Sequence, residues 1–490
     1  MSKKKEGNKD ANKDENKEEE DACVNLKESS GKYENGLFIF RRDFRVVDNI
    51  GLNLANDKCK RIYAVFIFTP EQVGSGNSYK SDNAVQFMIE SLQDLASNIR
   101  RLGGELYCFY GKNVSVVSEL IRVLDINCVC FNADYTPYAI DRELSIIRLC
   151  DSKGVAVEYG HDYYLHAPGS ILNGAGHAYQ KFTPYYNAAL RKKVDAPTGP
   201  RKIHFATTTK HLSNRITLSS ALGRFIKRPN ENILVKGGRP NAIKQLRIAA
   251  KNISHYSQTR DELSKPTSQL SAFIKFGCVS VREVYKLFRT NRAFIRQLYW
   301  RDFYMNVLYA FPHVLGSSMN PKYNKIRWHN SERLFNAWTK GETGIPIVDA
   351  GMRQLNQCGY MHNRARMISS SVLIKIFLID WRKGEKYFAE KLTDYDPASN
   401  NGGWQWSSGS GTDAQPFFRY FNPYMQSKEH DPKCEYIKTW IPELKDVPNE
   451  DIHKWDTEWE KHKDVRYPKP IVNYAEMKEK SIAMYKAALY

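Results

Sequence analysis

Short apolar runs alternate with amphipathic stretches through the first third of the chain. Gly36–Phe40 (GLFIF), Arg61–Thr69 (RIYAVFIFT), Glu105–Tyr110 (ELYCFY), Cys128–Asn132 (CVCFN) and Val155–Tyr159 are compact and rich in β-branched and aromatic residues, so each reads as a buried strand. Between them, Asn83–Leu102 places Phe87, Ile89, Leu92, Leu95 and Ile99 at helical spacing, and Ser115–Val123 and Asp141–Cys150 also read as helices. This alternation predicts an α/β fold with a doubly wound parallel sheet that binds ligands at the carboxyl ends of its strands. No G-x-G-x-x-G follows the first strand. The segment there, Arg41-Arg42-Asp43-Phe44-Arg45, is charged, which disfavours a dinucleotide site of the usual kind.

The pattern then changes. Residues 168–245 are irregular and rich in Gly and Pro, as expected of an interdomain connector, and residues 246–490 are helical in pattern. Residues 1–34 hold 8 Lys and 10 acidic residues with few large apolar side chains, which predicts a disordered charged tail. The expected division is therefore a tail over 1–34, an α/β domain over 35–167, a connector over 168–245 and a helical domain over 246–490.

Composition narrows the function. Of 490 residues, 73 are Lys or Arg and 54 Asp or Glu, a formal charge of +19, which suits equally a polyanionic partner such as nucleic acid and a generally basic surface with no specific partner. No run approaches the roughly 18 apolar residues of a membrane span. No signal or transit peptide is evident, so the expected setting is intracellular, cytoplasmic or nuclear. The nine Cys form no C-x-x-C pair and no H-E-x-x-H occurs, which argues against a zinc site and against a disulfide framework. All nine Trp lie between Trp300 and Trp459, a concentration that suits a planar aromatic ligand, stacked bases or electron transfer.

Four strings carry chemistry. Thr267-Ser268-Gln269-Leu270-Ser271 gathers hydroxyls at the expected start of a helix running to about Lys275, an arrangement suited to a diphosphate. Arg296–Tyr304 (RQLYWRDFY) puts Gln297, Trp300, Arg301 and Tyr304 on one helical face, as the wall of a pocket for a base. Gly359–Met367 (GYMHNRARM) is expected within a helix that begins near Ile347; Asn363 and Met367 face one way, and Arg364 and Arg366 reach in different directions. His362 reads as a structural histidine. Thr393–Trp406 (TDYDPASNNGGWQW) compresses Asp394, Asp396 and two Trp into an expected tight turn.

Taken in order, with FRRDFRVVDN (Phe40–Asn49), YSQTRD (Tyr256–Asp261), IDWRKGEKYF (Ile379–Phe388) and NNGGWQWSSGSGTDAQPFFRYFNP (Asn400–Pro423), these strings resemble the photolyase/cryptochrome family. The resemblance implies a Rossmann-like α/β antenna domain and an all-helical domain that binds FAD, active as FADH−. It implies flavin contacts from Tyr256, Thr267, Ser268, Gln269, Leu270, Ser271, Arg366, Asp394, Tyr395, Asp396 and Asn400. Trp404, Trp381 and Trp328 match an electron-relay chain. Arg260, Gln297, Trp300, Arg301, Tyr304, Asn363, Arg364, Met367, Trp406 and Gln426 match the side that receives DNA. The implied activity is light-driven splitting of a cyclobutane pyrimidine dimer in UV-damaged DNA by a monomer, with Gln297 and Asn400 closest to the chemistry and no metal. Gln297 departs from the Glu of the dimer-repair pattern and occurs in six-four photolyases, whose second His is absent after His362. A cryptochrome-type light receptor is the reading from another class. A second antenna chromophore is implied, its identity open because Thr136 stands where a folate-binding Glu often does.

Overall fold

The computed structural model describes residues 33–414 and 416–490. The tail expected over 1–34 lies outside the described residues, save the two that open the first strand. Five strands, β1 (Tyr33–Phe40), β2 (Cys59–Phe68), β3 (Leu106–Tyr110), β4 (Cys128–Asn132) and β5 (Ala156–Gly160), pair in parallel, and β6 (Arg215–Ile216) closes one edge. The order is β5-β4-β1-β2-β3-β6. The sheet is mixed, because β6 runs antiparallel to β3 with Cys108 opposite Ile216. Two residues between polar neighbours leave no periodicity to read, so this edge strand escaped the sequence pattern.

Both faces of the sheet are covered, as a parallel sheet requires. Leu37, Ile39, Val65 and Val129 pack against the helices 113–124 and 137–152. Phe38, Phe40 and Phe66 point the other way and share a core with Phe87, Leu92 and Leu95 of helix 82–101. That core continues into Phe273, Phe276, Leu298 and Phe303, so the α/β layer and the helical layer are joined by apolar contact. A second helical core holds Trp338, Leu373, Trp381 and Trp404.

Three local readings need correction. The segment read as a connector contains helices 182–189 and 218–225 and the first half of helix 239–252, which crosses the expected boundary at 245. The helix from Pro346 stops at Cys358, where Gly359 takes φ +66°, and a new one begins at Asn363; His362 caps it, its Nδ1 accepting from the Arg364 N–H at 3.1 Å. The expected tight turn is a helix, Pro397–Ser408, capped by Asp396, which accepts from the Ser399 N–H. Its Gly402 serves packing: a Cβ there would stand 2.1 Å from Tyr304 Cδ1, so only Gly lets this helix close on helix 292–310.

The charged segment after β1 clamps the layers together. Arg45 reaches Asp162 at 2.5 Å, Asp162 also receives Arg282 at 2.7 Å, and Arg282 reaches Asp48 at 3.2 Å. Asp48 further accepts from the Ser280 hydroxyl. All four charged side chains are buried. Burial opposes ionisation of Asp162, yet Arg45 and Arg282 hold its carboxyl below the usual range. Asp162→Ala should leave the buried Arg45 without its carboxylate and Arg282 with Asp48 alone, and cost about 3–5 kcal/mol. Denaturant unfolding checks this; a loss under about 1 kcal/mol would show that the clamp does not hold the layers.

Candidate functional site

Helices 292–310, 363–375 and 397–408, together with the loop before Ser271, enclose a cavity of about 580 Å³. Its walls include Tyr256, Arg260, Ser268, Leu270, Ser271, Gln297, Trp300, Arg301, Tyr304, Asn363, Arg364, Arg366, Met367, Asp394, Tyr395, Asp396, Asn400, Trp404 and Trp406. Strings about 150 residues apart in sequence therefore meet around one space.

A fixed ion pair crosses the wall. Arg366 donates to Asp394 at 3.0 and 3.2 Å. Burial works against the Asp394 carboxylate, but Arg366 beside it, with the Ser271 hydroxyl, keeps it ionised below the usual range. Asp396 is likewise buried and held ionised by Arg42, which reaches it at 3.3 Å from the loop after β1. Asn400 donates its side-chain amide to the Glu385 carbonyl at 2.9 Å and to its carboxyl at 3.2 Å, which orients it.

The hydroxyl segment leads into a helix that ends at Lys275 as expected, but the helix covers only Ser271–Lys275, and Gln269 stands before it with a left-handed φ of +52°. Side-chain hydroxyls, with little helix dipole behind them, are what the loop offers. Thr267 and Gln269 line a neighbouring cavity of about 270 Å³, where Thr267 bonds the Tyr360 hydroxyl at 3.1 Å.

On the expected DNA side, Trp300 stacks face to face on Phe182, centroids 3.7 Å apart and planes within 4°. Arg296 lies over Phe182, 4.8 Å from its centroid. The indole is thus held from behind by a fully buried ring, its free side toward the cavity. Arg364 pairs with Asp261 at 2.8 Å. Arg301 turns inward, bonding the Tyr163 carbonyl at 2.7 Å and lying over Tyr164, so its guanidinium is a strut between the layers. Gln426 stands apart from the cavity on helix 423–430, with Glu429 as its partner. Gln297 donates back to the Ala293 carbonyl at 3.2 Å. Of the three tryptophans expected to relay electrons, Trp404 lines the cavity and Trp381 is buried in the same core, with Trp328 half-buried at its edge. Trp338 also touches Trp404, with centroids 6.1 Å apart.

Four contributors lay outside the sequence reading. Phe182 sat in the supposed connector and carried no signal. Glu385 lay in a quoted string whose carboxyl was not singled out. Lys275, four residues after Ser271, lines the cavity and is pushed down to about 8 by burial. Arg42 was noted as charged, without its target. Lys275, Tyr395 and Asp396 also border a second cavity of about 290 Å³ at the carboxyl ends of the strands, with Phe40, Thr69, Thr136, Tyr138 and Arg142 on its walls.

Fold and cavity together define a two-layer protein with an α/β domain and a helical domain built to enclose a large polar-and-planar cofactor. Residues 37–201 match the family described as DNA photolyase, and residues 294–487 match the FAD binding domain of DNA photolyase. The chain is 36% identical over 483 residues to the deoxyribodipyrimidine photo-lyase of Halobacterium salinarum, covering 92% of this chain and 99% of the relative. A solved archaeal photolyase from Sulfolobus tokodaii, with two FAD molecules, superposes with a TM-score of 0.83 at 39% identity, covering 92% of this chain and all of that one. A class III photolyase from Agrobacterium tumefaciens gives 0.86 at 31%, covering 94% and 99%. The chain belongs to the DNA photolyase family, and FAD is its cofactor. The residues present fit that group: the Arg366–Asp394 pair and the Asn400 amide offer fixed polar partners to a planar heterocycle, and Ser268 and Ser271 offer hydroxyls.

Burial raises the Glu385 carboxyl from its ordinary 4.5 to about 7, so at neutral pH it sits near half protonation against Asn400. A raised acid binds its proton more tightly when folded. Its stabilisation is full below pH 4.5 and is lost as pH rises through 7. The stability of Glu385→Gln relative to wild type should therefore climb between pH 4.5 and 7, by up to about 1.4 kcal/mol per pH unit. Denaturant unfolding of both proteins across that range checks it, and a difference independent of pH would contradict the burial argument.

Proposed function

We propose that the protein is a deoxyribodipyrimidine photo-lyase that repairs cyclobutane pyrimidine dimers in UV-damaged DNA, acting as a monomer inside the cell. The observation that carries this is the single cavity whose inner wall holds the Arg366–Asp394 pair and Asn400, and whose other wall presents Trp300, Gln297, Asn363 and Met367. A flavin seat and a seat for a flipped pyrimidine dimer thus share one space.

The net charge of +19 draws the phosphate backbone in a salt-dependent way. Enzymes that act on a base, photolyases among them, take it out of the stack at a cost of roughly a few kcal/mol, less when the base is damaged. Trp300, braced by Phe182, provides the stacking surface that offsets this cost. The neutral Gln297 amide offers a donor to pyrimidine carbonyls at any pH. Asn400, fixed by Glu385, presents an uncharged amide beside the flavin. Arg366 and Asp394 would hold and orient the flavin ring. When bound and reduced, FAD would supply the light-driven electron transfer that splits the dimer. Trp404, Trp381 and Trp328 form an oxidisable path from the cavity toward the surface. The cavity at the strand ends, with Arg42, Lys275 and Arg142 on its walls, is the seat for a second, light-harvesting chromophore.

Blue-light assays on reduced enzyme, with one oligonucleotide carrying a cyclobutane dimer and another a six-four photoproduct, test the reading. Repair of the first alone is expected. Repair of the second would reassign Gln297 to that substrate, and repair of neither would make the protein a light receptor. Trp404→Phe should reduce photoreduction of oxidised enzyme at least about tenfold yet spare repair by chemically reduced enzyme; unchanged photoreduction would place the electron path elsewhere. Gln297→Glu should keep or raise cyclobutane repair, whereas complete loss would show that the amide serves another lesion.

A further inference from the structure

The spacing of cysteines along the chain gives no metal motif, yet the fold brings three of them together outside the flavin cavity. Cys128 and Cys130 lie two apart on β4, on the same face. Cα atoms so placed are about 6.6 Å apart, but the two Sγ atoms approach to 3.5 Å, so the thiols lean toward each other. Cys59 arrives by another route. It is the residue on which helix 50–58 ends, its N–H donating to the Ala55 carbonyl, and it leans over β1 at Gly36. A Cβ on Gly36 would stand 2.6 Å from the Cys59 Sγ, so any side chain there would expel the thiol. The three Sγ atoms lie within 4.8 Å of one another, and the residues are at most 1% exposed.

We propose that Cys59, Cys128 and Cys130 form a three-thiolate site for one closed-shell, sulfur-seeking ion of the zinc, cadmium or monovalent copper class. With metal–sulfur bonds of about 2.3 Å, the three sulfurs stand about 4.0 Å apart around a trigonal ion and about 3.8 Å apart around a tetrahedral one, spacings that small rotations of these side chains reach. A buried free cysteine usually serves as a small apolar residue. Cys278 and Cys358 show the ordinary solution, each thiol turned to an oxygen, of Ser91 and of the Gln354 backbone. Three thiols turned to one another across a strand, over a glycine that clears the space, form a different arrangement. The bound ion ties Cys59, the first residue of β2, directly to β4 across β1, beside the ladders that join each of the two strands to β1.

The test is metal content of the FAD-loaded full chain produced in medium supplemented with zinc or with cadmium. About one ion per chain is expected, with three sulfur neighbours at about 2.3 Å for zinc by X-ray absorption. Cys59→Ser/Cys130→Ser should lose the ion while keeping flavin and repair. Wild-type protein with less than about a tenth of an ion per chain, or a variant that retains the ion, would overturn the proposal. Should the variant fail to fold, native mass spectrometry of wild type decides: chain plus FAD plus one ion supports the site, and chain plus FAD alone overturns it.

Discussion

The structure depends on a buried cluster of opposite charges at the seam between its two layers. Arg45, Asp48 and Asp162 come from the carboxyl ends of the α/β sheet and Arg282 from the helical layer. Removed from water, each of these charges is tolerable only while its partners are in place. The cluster therefore admits one relative placement of the layers, and apolar packing of Phe44 on Phe276 fills the space beside it. Arg42 extends the same logic to the cavity, where it neutralises Asp396 and bridges to Asp134. The segment that takes the place of a glycine-rich phosphate loop is thus a clamp, and it sets the distance between the two cavities.

That placement explains how the site is pre-organised. Its polar groups arrive already paired: Asp394 with Arg366, Asn400 with Glu385, Arg364 with Asp261. A cofactor entering such a wall meets oriented dipoles and charges and loses little to their rearrangement. The aromatic side is built the same way, since Trp300 is fixed by a ring on its far face instead of being left to rotate. Close helix contact at Gly402 and Gly384, where a Cβ would meet Tyr304 or Trp404 at 2.1 Å, brings both walls near enough to share one space.

Much of this was legible from residues alone. Four of the five parallel strands follow from apolar runs within about two residues, and the longest, β2, from RIYAVFIFT. Most residues assigned to the flavin and to DNA do line one cavity. The failures are local and have causes. Gly359 ends a helix that apolar spacing continues through, because periodicity does not register a left-handed residue. Asp396 followed by Pro397 starts a helix where a string of Asp, Asn and Gly read as a turn; both residues favour a first helical turn as much as a loop. Phe182 sat in a Gly- and Pro-rich stretch and β6 is two residues between polar neighbours, so only long-range partners define either.

The sequence by itself determined the two-layer class, the basic surface and the cast of polar and aromatic residues, because periodicity, composition and short strings are properties of neighbours in the chain. The tertiary structure alone decided which of them meet. It tied Arg301 on the cavity wall to the Tyr163 carbonyl, put Phe182 behind Trp300, placed Thr267 and Gln269 in an adjoining cavity, and gathered Cys59 with Cys128 and Cys130. Each outcome depends on the burial of groups far apart in sequence, and burial is fixed only once the layers have closed on one another.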